Sequence, residues 1–592
     1  MQDLIPQTSV RPALDRFRAL LKQHWPFVLL ICVGLVFIVA RLGADYLWAD
    51  EGDTAVLGRN ILKYGVPKAW DGISFIDSDK GARVNDSLVM VSHPWVQYFL
   101  TAGSFALFGQ NAFAARLPFA LMAWLTVILI YAFVYRISTS RAAGFFSAAL
   151  LLLSLQFLLY ARQCRYYALV MLLTCALVAV FFRMNSARRC VLFAVIAVLL
   201  FHSHPIGIAS VAALGALALV YPPFFPQRRY FFWALPFILV LTLPWIVLAK
   251  AGYAENSGMA HSVGQFCARA VQYLIECASV TPLIGVVILL GVYLVSSVFI
   301  RTTPASKEDD EQLLRPGERD FLVATFTILA GYVAIMAMTQ ATRVLWYYGV
   351  RYTAAIIPLT AMMAGILLVR ATRGRIIPGV ILLLIFSLTN SAQLTPWAYW
   401  SRYQKWHIGQ YAVWPHPPER TVDALLPTWD VRFLRDLGQA HPGVTGKACE
   451  FLRDKAKPDD LIFTNADWEP LYFYTRLRQA MNIHEDYPVY AAARSKGLPE
   501  YVFGLEHVRW IIWQPYWEGY NGYTWNVIEE QIRSRGGRLE EVATFPETAW
   551  ENREDLNFRR FGNSDYIFPW AEQPTDVASI FRVDWPNDHL AP

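Results

Sequence analysis

Eleven apolar runs organise the first two-thirds of the chain. They cover approximately residues 26–43, 116–135, 142–159, 166–182, 190–204, 206–222, 230–249, 281–300, 320–340, 352–369 and 376–394. A spanning helix needs about 20 mainly apolar residues, so each run is a candidate span. A twelfth run, 94–109, is shorter, and the basic residues decide its placement. Clusters stand before residue 26 (Arg11, Arg16, Arg18, Lys22) and at Arg136/Arg141, Arg183/Arg188/Arg189 and Arg228/Arg229. Others stand at Arg301/Lys307/Arg315/Arg319 and Arg370/Arg373/Arg375. They alternate with poorer loops only if the eleven runs cross and 94–109 lies along the membrane surface, with Trp95, Phe99 and Ala102 on one face. That parity puts the N-terminus in the cytoplasm and residues 395–592 outside. The first run does not read as a cleaved leader, since no small-residue cleavage site precedes 44–53 and Arg41 ends the run.

After residue 394 the pattern changes. A helix over 445–456, N-capped by Thr445, leads to a strand at 461–464. A strand at 508–513, a helix at 524–535 closed by Gly536 and Gly537, and a strand at 539–544 follow. The expected fold is therefore a polytopic α-helical membrane protein of about 11 spans over 1–394, with juxtamembrane helices in a first outer loop at 44–115. A periplasmic α/β domain over 395–592 completes it.

Composition agrees with this pattern. The chain is 55% apolar and 17% charged with a mean hydropathy of +0.32, against about 25% charged in soluble domains. The net charge of +6 does not signal a nucleic-acid partner, because it is unevenly spread. Residues 1–394 hold 31 Lys and Arg against 18 Asp and Glu, and residues 395–592 hold 21 against 28. Most of the excess orients helices. The seven cysteines lack metal-ligand spacing. Cys267 and Cys277 share one outer loop, which leaves a disulfide between them open.

The candidate chemistry lies in the outer loops. The first begins Trp48-Ala49-Asp50-Glu51-Gly52-Asp53, followed by a helix-like stretch at 54–64 that stops at Gly65 and Pro67. Arg59 and Lys63 share a face of it. Asp53 suits a helix cap, but capping does not explain acids clustered at the membrane boundary. Arg162 and Arg165, in Tyr160-Ala-Arg-Gln-Cys-Arg-Tyr-Tyr167, and Arg343 and Arg351, before Tyr352, fall on the same outer side. Snorkelling explains any one of them. Four beside a cluster of acids point to an anionic ligand at the membrane surface. Sugar transfer from a polyprenyl phosphate needs such parts: cations for the leaving phosphate and one carboxylate for the acceptor hydroxyl. Asp50, Glu51 and Asp53 also have the oxygen chemistry for a divalent cation such as Mg or Mn. His202 and His204 fit hydrogen bonding better than a metal. The aromatic residues Trp468, Tyr472, Tyr474, Trp513, Tyr516 and Trp517 offer faces for a glycan, although packing explains most of them.

These motifs together resemble the GT-C superfamily of glycosyltransferases, in the bacterial branch related to protein O-mannosyltransferases and the lipid A aminoarabinose transferase. The carrying residues are Asp50-Glu51, Gly58-Arg59-Asn60-Ile61-Leu62-Lys63-Tyr64-Gly65, His93-Pro94-Trp95, Phe108-Gly109 and Arg116-Leu117-Pro118. Arg162…Arg165-Tyr166-Tyr167 and Arg351-Tyr352 with Pro358 complete the set. The resemblance implies a periplasm-facing site in a bacterial inner-membrane glycosyltransferase. It also implies a polyprenyl-phosphate-linked monosaccharide donor, used with inversion, and an envelope acceptor such as lipid A or lipopolysaccharide, a polysaccharide or a protein. Asp50 is then the base, with Glu51 its partner or a metal ligand. Arg351, Arg165, Arg162, His93, Arg59 and Lys63 are candidates for the donor phosphate, and Tyr166, Tyr352, Arg343 and His204 for the surrounding site. Relatives often have Lys-Pro-Pro or His-Pro-Pro at the His93 position. A histidine there carries charge only if its pKa is raised, so donor binding through it should weaken above neutral pH. The rival reading, a transporter or flippase of lipid-linked sugars, predicts paired repeats and broken mid-membrane segments, and the sequence has no such repeat.

Overall fold

The computed structural model describes residues 10–76, 83–253, 260–302, 314–339, 351–394, 406–408, 411–413, 434, 437–438, 443–466, 468–483, 490–515, 518, 523–547 and 576–586. Arg343, Tyr516 and Trp517 lie outside them. The helices are α1 (Val10–Val39), α2 (Ala49–Tyr64), α3 (Val96–Phe108), α4 (Ala112–Ser138), α5 (Arg141–Leu152), α6 (Leu155–Ala161), α7 (Tyr167–Phe181) and α8 (Ala187–Ser203). After them come α9 (Ile208–Val220), α10 (Arg228–Tyr253), α11 (Val263–Val280), α12 (Leu283–Thr302), α13 (Pro316–Thr339), α14 (Ile356–Ala371) and α15 (Ile376–Leu388).

Each of the eleven apolar runs falls on a helix or a bent pair, but the helices are not eleven equal spans. Among the described residues four are long and apolar enough to cross alone: Lys22–Val39, Ala112–Ser138, Pro222–Val247 and Pro316–Thr339. The count rises to six if each of two bent pairs is one span. The run at 142–159 is such a pair. Ser154 accepts a bond from the Phe157 amide and starts α6 afresh, bending the path by 68°. Hydropathy records the apolar content of this segment but not the cap that breaks it.

Exposure separates the bundle into an inner and an outer layer. Every residue of α14 from Ile356 to Arg370 is buried. It approaches α5 closely because Gly365 has no side chain: a Cβ there would stand 2.5 Å from the Ser147 amide nitrogen. Small residues that let helices meet are a common device in bilayers. Trp233, Val240 and Val247 of α10, Val295 of α12 and Ile376 and Ile377 of α15 are exposed, an apolar belt that suits lipid. The run at 94–109 forms α3, which packs on α2 and α4. Phe99, Leu107 and Phe108 face outward as expected for a surface-lying helix, but Ala102 is buried.

The C-terminal part holds a five-stranded sheet of order β4-β3-β5-β7-β6. The strands are β3 (Leu461–Thr464), β4 (Arg478–Gln479), β5 (Val508–Trp513), β6 (Arg538–Glu547) and β7 (Asp576–Asp584), and a short hairpin of β1 (Trp406–Ile408) and β2 (Tyr411–Val413) precedes them. β3 pairs parallel with β4 and β5, and β7 pairs antiparallel with β5 and β6. The expected strands at 461–464 and 508–513 match, and that at 539–544 is longer at both ends. The sequence reading missed β7, where polar residues interrupt the apolar alternation. Helices α16 (Gly443–Lys455), α17 (Trp468–Thr475), α18 (Tyr490–Ser495) and α19 (Trp525–Ser534) accompany the sheet.

Cys267 and Cys277 are unpaired, because both lie on α11 ten positions apart, a separation of about 15 Å along a helix axis. Packing, the sequence reading for most of the aromatic residues at 468–517, holds for Trp468, Tyr472 and Trp513, which are buried.

Candidate active site

The first loop is built around α2, whose start is earlier than the sequence suggested. Trp48 is its N-cap and Asp50 and Glu51 form its first turn. Asp53 therefore sits inside the helix and does not cap it. Carboxylates in a first turn are stabilised by the helix dipole. At the other end Gly65 adopts φ 75° and its amide closes on Ile61 O, a left-handed stop that favours glycine.

The two neighbouring acids face different partners. Asp50 Oδ2 lies 3.0 Å from Arg165 Nη2 and 3.2 Å from Arg351 Nη1. Among the described residues nothing bonds its Oδ1, and the side chain keeps 30% of its surface exposed. Glu51 is fully buried. It receives Arg116 Nε at 2.9 Å and Nη2 at 2.6 Å, and the Cys164 amide donates to its Oε1 at 2.8 Å. Arg116 also donates to Leu42 O, Asp45 O and Tyr46 O, each at 3.0 Å. One guanidinium thus ties the end of α1, the start of α2 and α4 together.

Arg165 is held from several sides. Its Nη1 donates to Asp50 O at 3.2 Å and Thr54 Oγ1 at 3.3 Å, and stands 3.9 Å from Asp53 Oδ2. The next amide, Tyr166 N, donates to Gln97 Oε1 of α3 at 3.1 Å. Arg351 lies in a turn at 351–353 and donates to the Tyr352 hydroxyl at 3.3 Å. His204 closes the group: its ring is 4.3 Å from that of Tyr166 and 5.3 Å from that of Tyr352. His202 turns elsewhere, donating to Leu241 O at 3.0 Å.

Electrostatics set the charge of each member. Burial pushes the Asp50 carboxyl up, but the guanidiniums of Arg165, Arg351 and Arg83 outweigh it and hold it below its ordinary value. His93 goes the other way. Burial, and then Arg83, Arg165, His204 and Arg351, hold its imidazole well below its ordinary value, while Ser92 Oγ bonds its Nδ1 at 2.9 Å. His93 is therefore neutral, so the expected weakening above neutral pH has no charge to lose.

Other candidates lie apart from this group. Arg59 is buried against Asp71 at 3.5 Å and donates to Phe473 O at 3.4 Å. Lys63 donates to Asp71 O at 3.2 Å. Arg162 donates to the Phe37, Ile38 and Ala40 carbonyls at 3.0, 3.1 and 2.8 Å, closing the C-terminus of α1 as cations commonly do. The divalent-cation reading does not fit either. Glu51 is occupied by Arg116, and among the described residues no three His, Cys, Asp or Glu side chains converge on a metal position. Sequence reasoning missed Arg83, which acts on both Asp50 and His93. Its one signal was a basic residue in an outer loop, the signal that singled out Arg165.

The C-terminal part props this loop from behind. Tyr472 of α17 donates to Asp71 Oδ2 at 2.5 Å, and the Leu47 amide donates to the Tyr474 hydroxyl at 3.0 Å. A Cβ on Gly52 would stand 2.5 Å from Pro470 N. Gly52→Ala is accordingly expected to push α2 and α17 apart and to cost about 1–3 kcal/mol, read as a lowered thermal midpoint of the detergent-solubilised protein.

Comparison with known proteins bears on this arrangement. Residues 92–248, from the His93 turn into α10, match the family described as dolichyl-phosphate-mannose-protein mannosyltransferase. ArnT from Cupriavidus metallidurans bound to undecaprenyl phosphate superposes with a TM-score of 0.50 at 14% identity, over 87% of this chain and 96% of that one. The fold of this chain is therefore ArnT-like. Apo ArnT gives 0.49 at 16% identity over 83% and 93% of the two chains. The oligosaccharyltransferase AglB from Archaeoglobus fulgidus, in complex with an inhibitory peptide and a dolichol-phosphate, gives 0.37 at 12% over 83% and 70%. No curated protein matches the sequence. Within this ArnT-like fold, Asp50, Arg165, Arg351, Tyr166, Tyr352, His204 and His93 form one group.

Proposed function

We propose that the protein is a bacterial inner-membrane glycosyltransferase that moves one monosaccharide from a polyprenyl-phosphate donor to an extracytoplasmic acceptor, with inversion. The acceptor is lipid A or lipopolysaccharide, a polysaccharide or a protein. The N-terminus is cytoplasmic and residues 395–592 are periplasmic. One observation carries the reading: a part-exposed carboxylate, Asp50, held between two guanidiniums at the end of a helix bundle. The undecaprenyl phosphate bound by ArnT of similar fold supports a lipid-phosphate donor.

In this reading Arg165 and Arg351 bind the donor phosphate and leave Asp50 to face the acceptor. The acceptor oxygen forms a bond to the anomeric carbon as the bond from that carbon to the phosphate oxygen breaks. The electron pair goes to the phosphate, whose new charge the two arginines stabilise. The acceptor proton goes to Asp50. Tyr166, Tyr352 and neutral His204 and His93 shape the cleft, and Arg83 adds positive charge at its edge.

Mass spectrometry of envelope glycolipids from cells with and without the protein tests this. The expected result is a species heavier by one sugar that requires the protein. Identical spectra for glycolipids, polysaccharide and envelope proteins would overturn the proposal. A pH profile adds a second check. With Asp50 ionised and His93 neutral, donor affinity should stay level from about pH 6 to 8.5, the range of an ordinary histidine titration. A tenfold loss across that interval would return the phosphate contact to His93.

A further inference from the structure

We propose that a buried polar stripe on α11 reads the hydroxyl groups of the transferred sugar, with Glu276 as the specificity-determining acceptor. This rests on the glycosyl-transfer reading above. Arg269, Gln272, Tyr273 and Glu276 recur at helical spacing and share one face. That face is buried, whereas Val263 and Leu274 of the same helix are exposed. The helix thus turns its polar side into the protein and its apolar side out. Ionisable groups so placed in membrane proteins mark ligand sites or pathways.

Glu276 is the informative member. It is 1% exposed, and Gln272 Nε2 donates to its Oε1 at 3.3 Å. Its Oε2 has no hydrogen-bond partner among the described residues. A buried polar atom left without a partner costs about 1–3 kcal/mol, and more if charged. Such groups are rare in native proteins and call for an explanation. A ligand that donates a hydrogen bond supplies one.

The position of the stripe identifies that ligand. Tyr273 stands one turn from Glu276 on the same helix and belongs to the buried cluster against which Tyr352 packs, and Tyr352 accepts from Arg351. The stripe therefore borders the cationic end of the site. A group next to the donor phosphate that donates to a carboxyl oxygen is a glycosyl group with free hydroxyls. The isoprenoid tail has no donor to offer, whereas a sugar hydroxyl both donates and accepts and so suits either protonation state of a buried carboxyl group.

The test uses the full-length protein and measures binding of bare undecaprenyl phosphate and of undecaprenyl phosphates carrying one neutral hexose, one pentose or one amino sugar. The wild type should prefer at least one glycosylated carrier over the bare one by about tenfold, the usual scale of a buried hydrogen-bonding group. Glu276→Ala should remove most of that preference and leave affinity for the bare carrier unchanged. Glu276→Gln, which keeps an acceptor oxygen and the side-chain shape, should retain part of it and guards against misfolding of the alanine variant. Absence of any preference in the wild type, retention of the full preference in Glu276→Ala, or an equal loss for bare and glycosylated carriers would each overturn the proposal. Failure of the wild type to bind even the bare carrier would instead remove the transferase reading beneath it.

Discussion

Asp50→Asn is expected to lower the turnover of sugar transfer by about 10²–10⁴-fold, the usual contribution of a general base, without weakening donor binding. The asparagine keeps the shape of the side chain and loses its ability to take a proton. Asp50 bridges Arg165 and Arg351 through one oxygen, so in the proposed reaction an arriving donor phosphate competes with it for both guanidiniums. The amide offers no such competition, and donor affinity should hold or rise as turnover falls. Steady-state kinetics with a titration of the lipid donor separate the two quantities. A variant that keeps full turnover would remove Asp50 from the chemistry. One that loses turnover and donor binding together would make it an organiser of the phosphate pocket.

Replacing Arg116 with methionine should have the largest effect on stability, about 3–5 kcal/mol, the cost of breaking a buried ion pair from one side. It leaves Glu51 charged and fully enclosed and removes the donors to three backbone carbonyls. Arg116→Lys should not restore the loss, since one ammonium cannot reproduce the fork that meets both carboxylate oxygens. Combining Glu51→Gln with Arg116→Met should recover part of it, because no lone charge remains. Thermal unfolding of the solubilised protein measures all three. Equal midpoints for wild type and Arg116→Met would show that the pair contributes nothing.

The sequence made the helical membrane architecture readable because apolar content survives any detail of packing. It also placed Asp50, Arg165, Arg351, Tyr166, Tyr352 and His204 in outer segments, which the fold brings together. What it could not convey was pairing. Glu51 stands beside Asp50 in the chain, but successive residues of a helix point about 100° apart, so one faces the cleft and the other faces Arg116. Arg162 and Arg165 likewise stand three apart and serve different ends, one closing α1 and one gripping Asp50. The breaks at Ser154 and between α11 and α12, which decide whether the described residues hold four or six candidate spans, and the short lengths of α7, α9, α14 and α15 are set by caps and by partners distant in sequence.

The packing of α17 against α2 has a consequence for biosynthesis. Leu47 waits for a hydroxyl 427 residues downstream, and Asp71 for one 401 residues downstream. At about 5–20 residues per second of translation, the loop carrying Asp50 spends some tens of seconds without the contacts that brace it. The loop is thus in place long before it is braced, and a chain cut short after the last apolar helix would carry every residue of the candidate site without the support that sets its geometry.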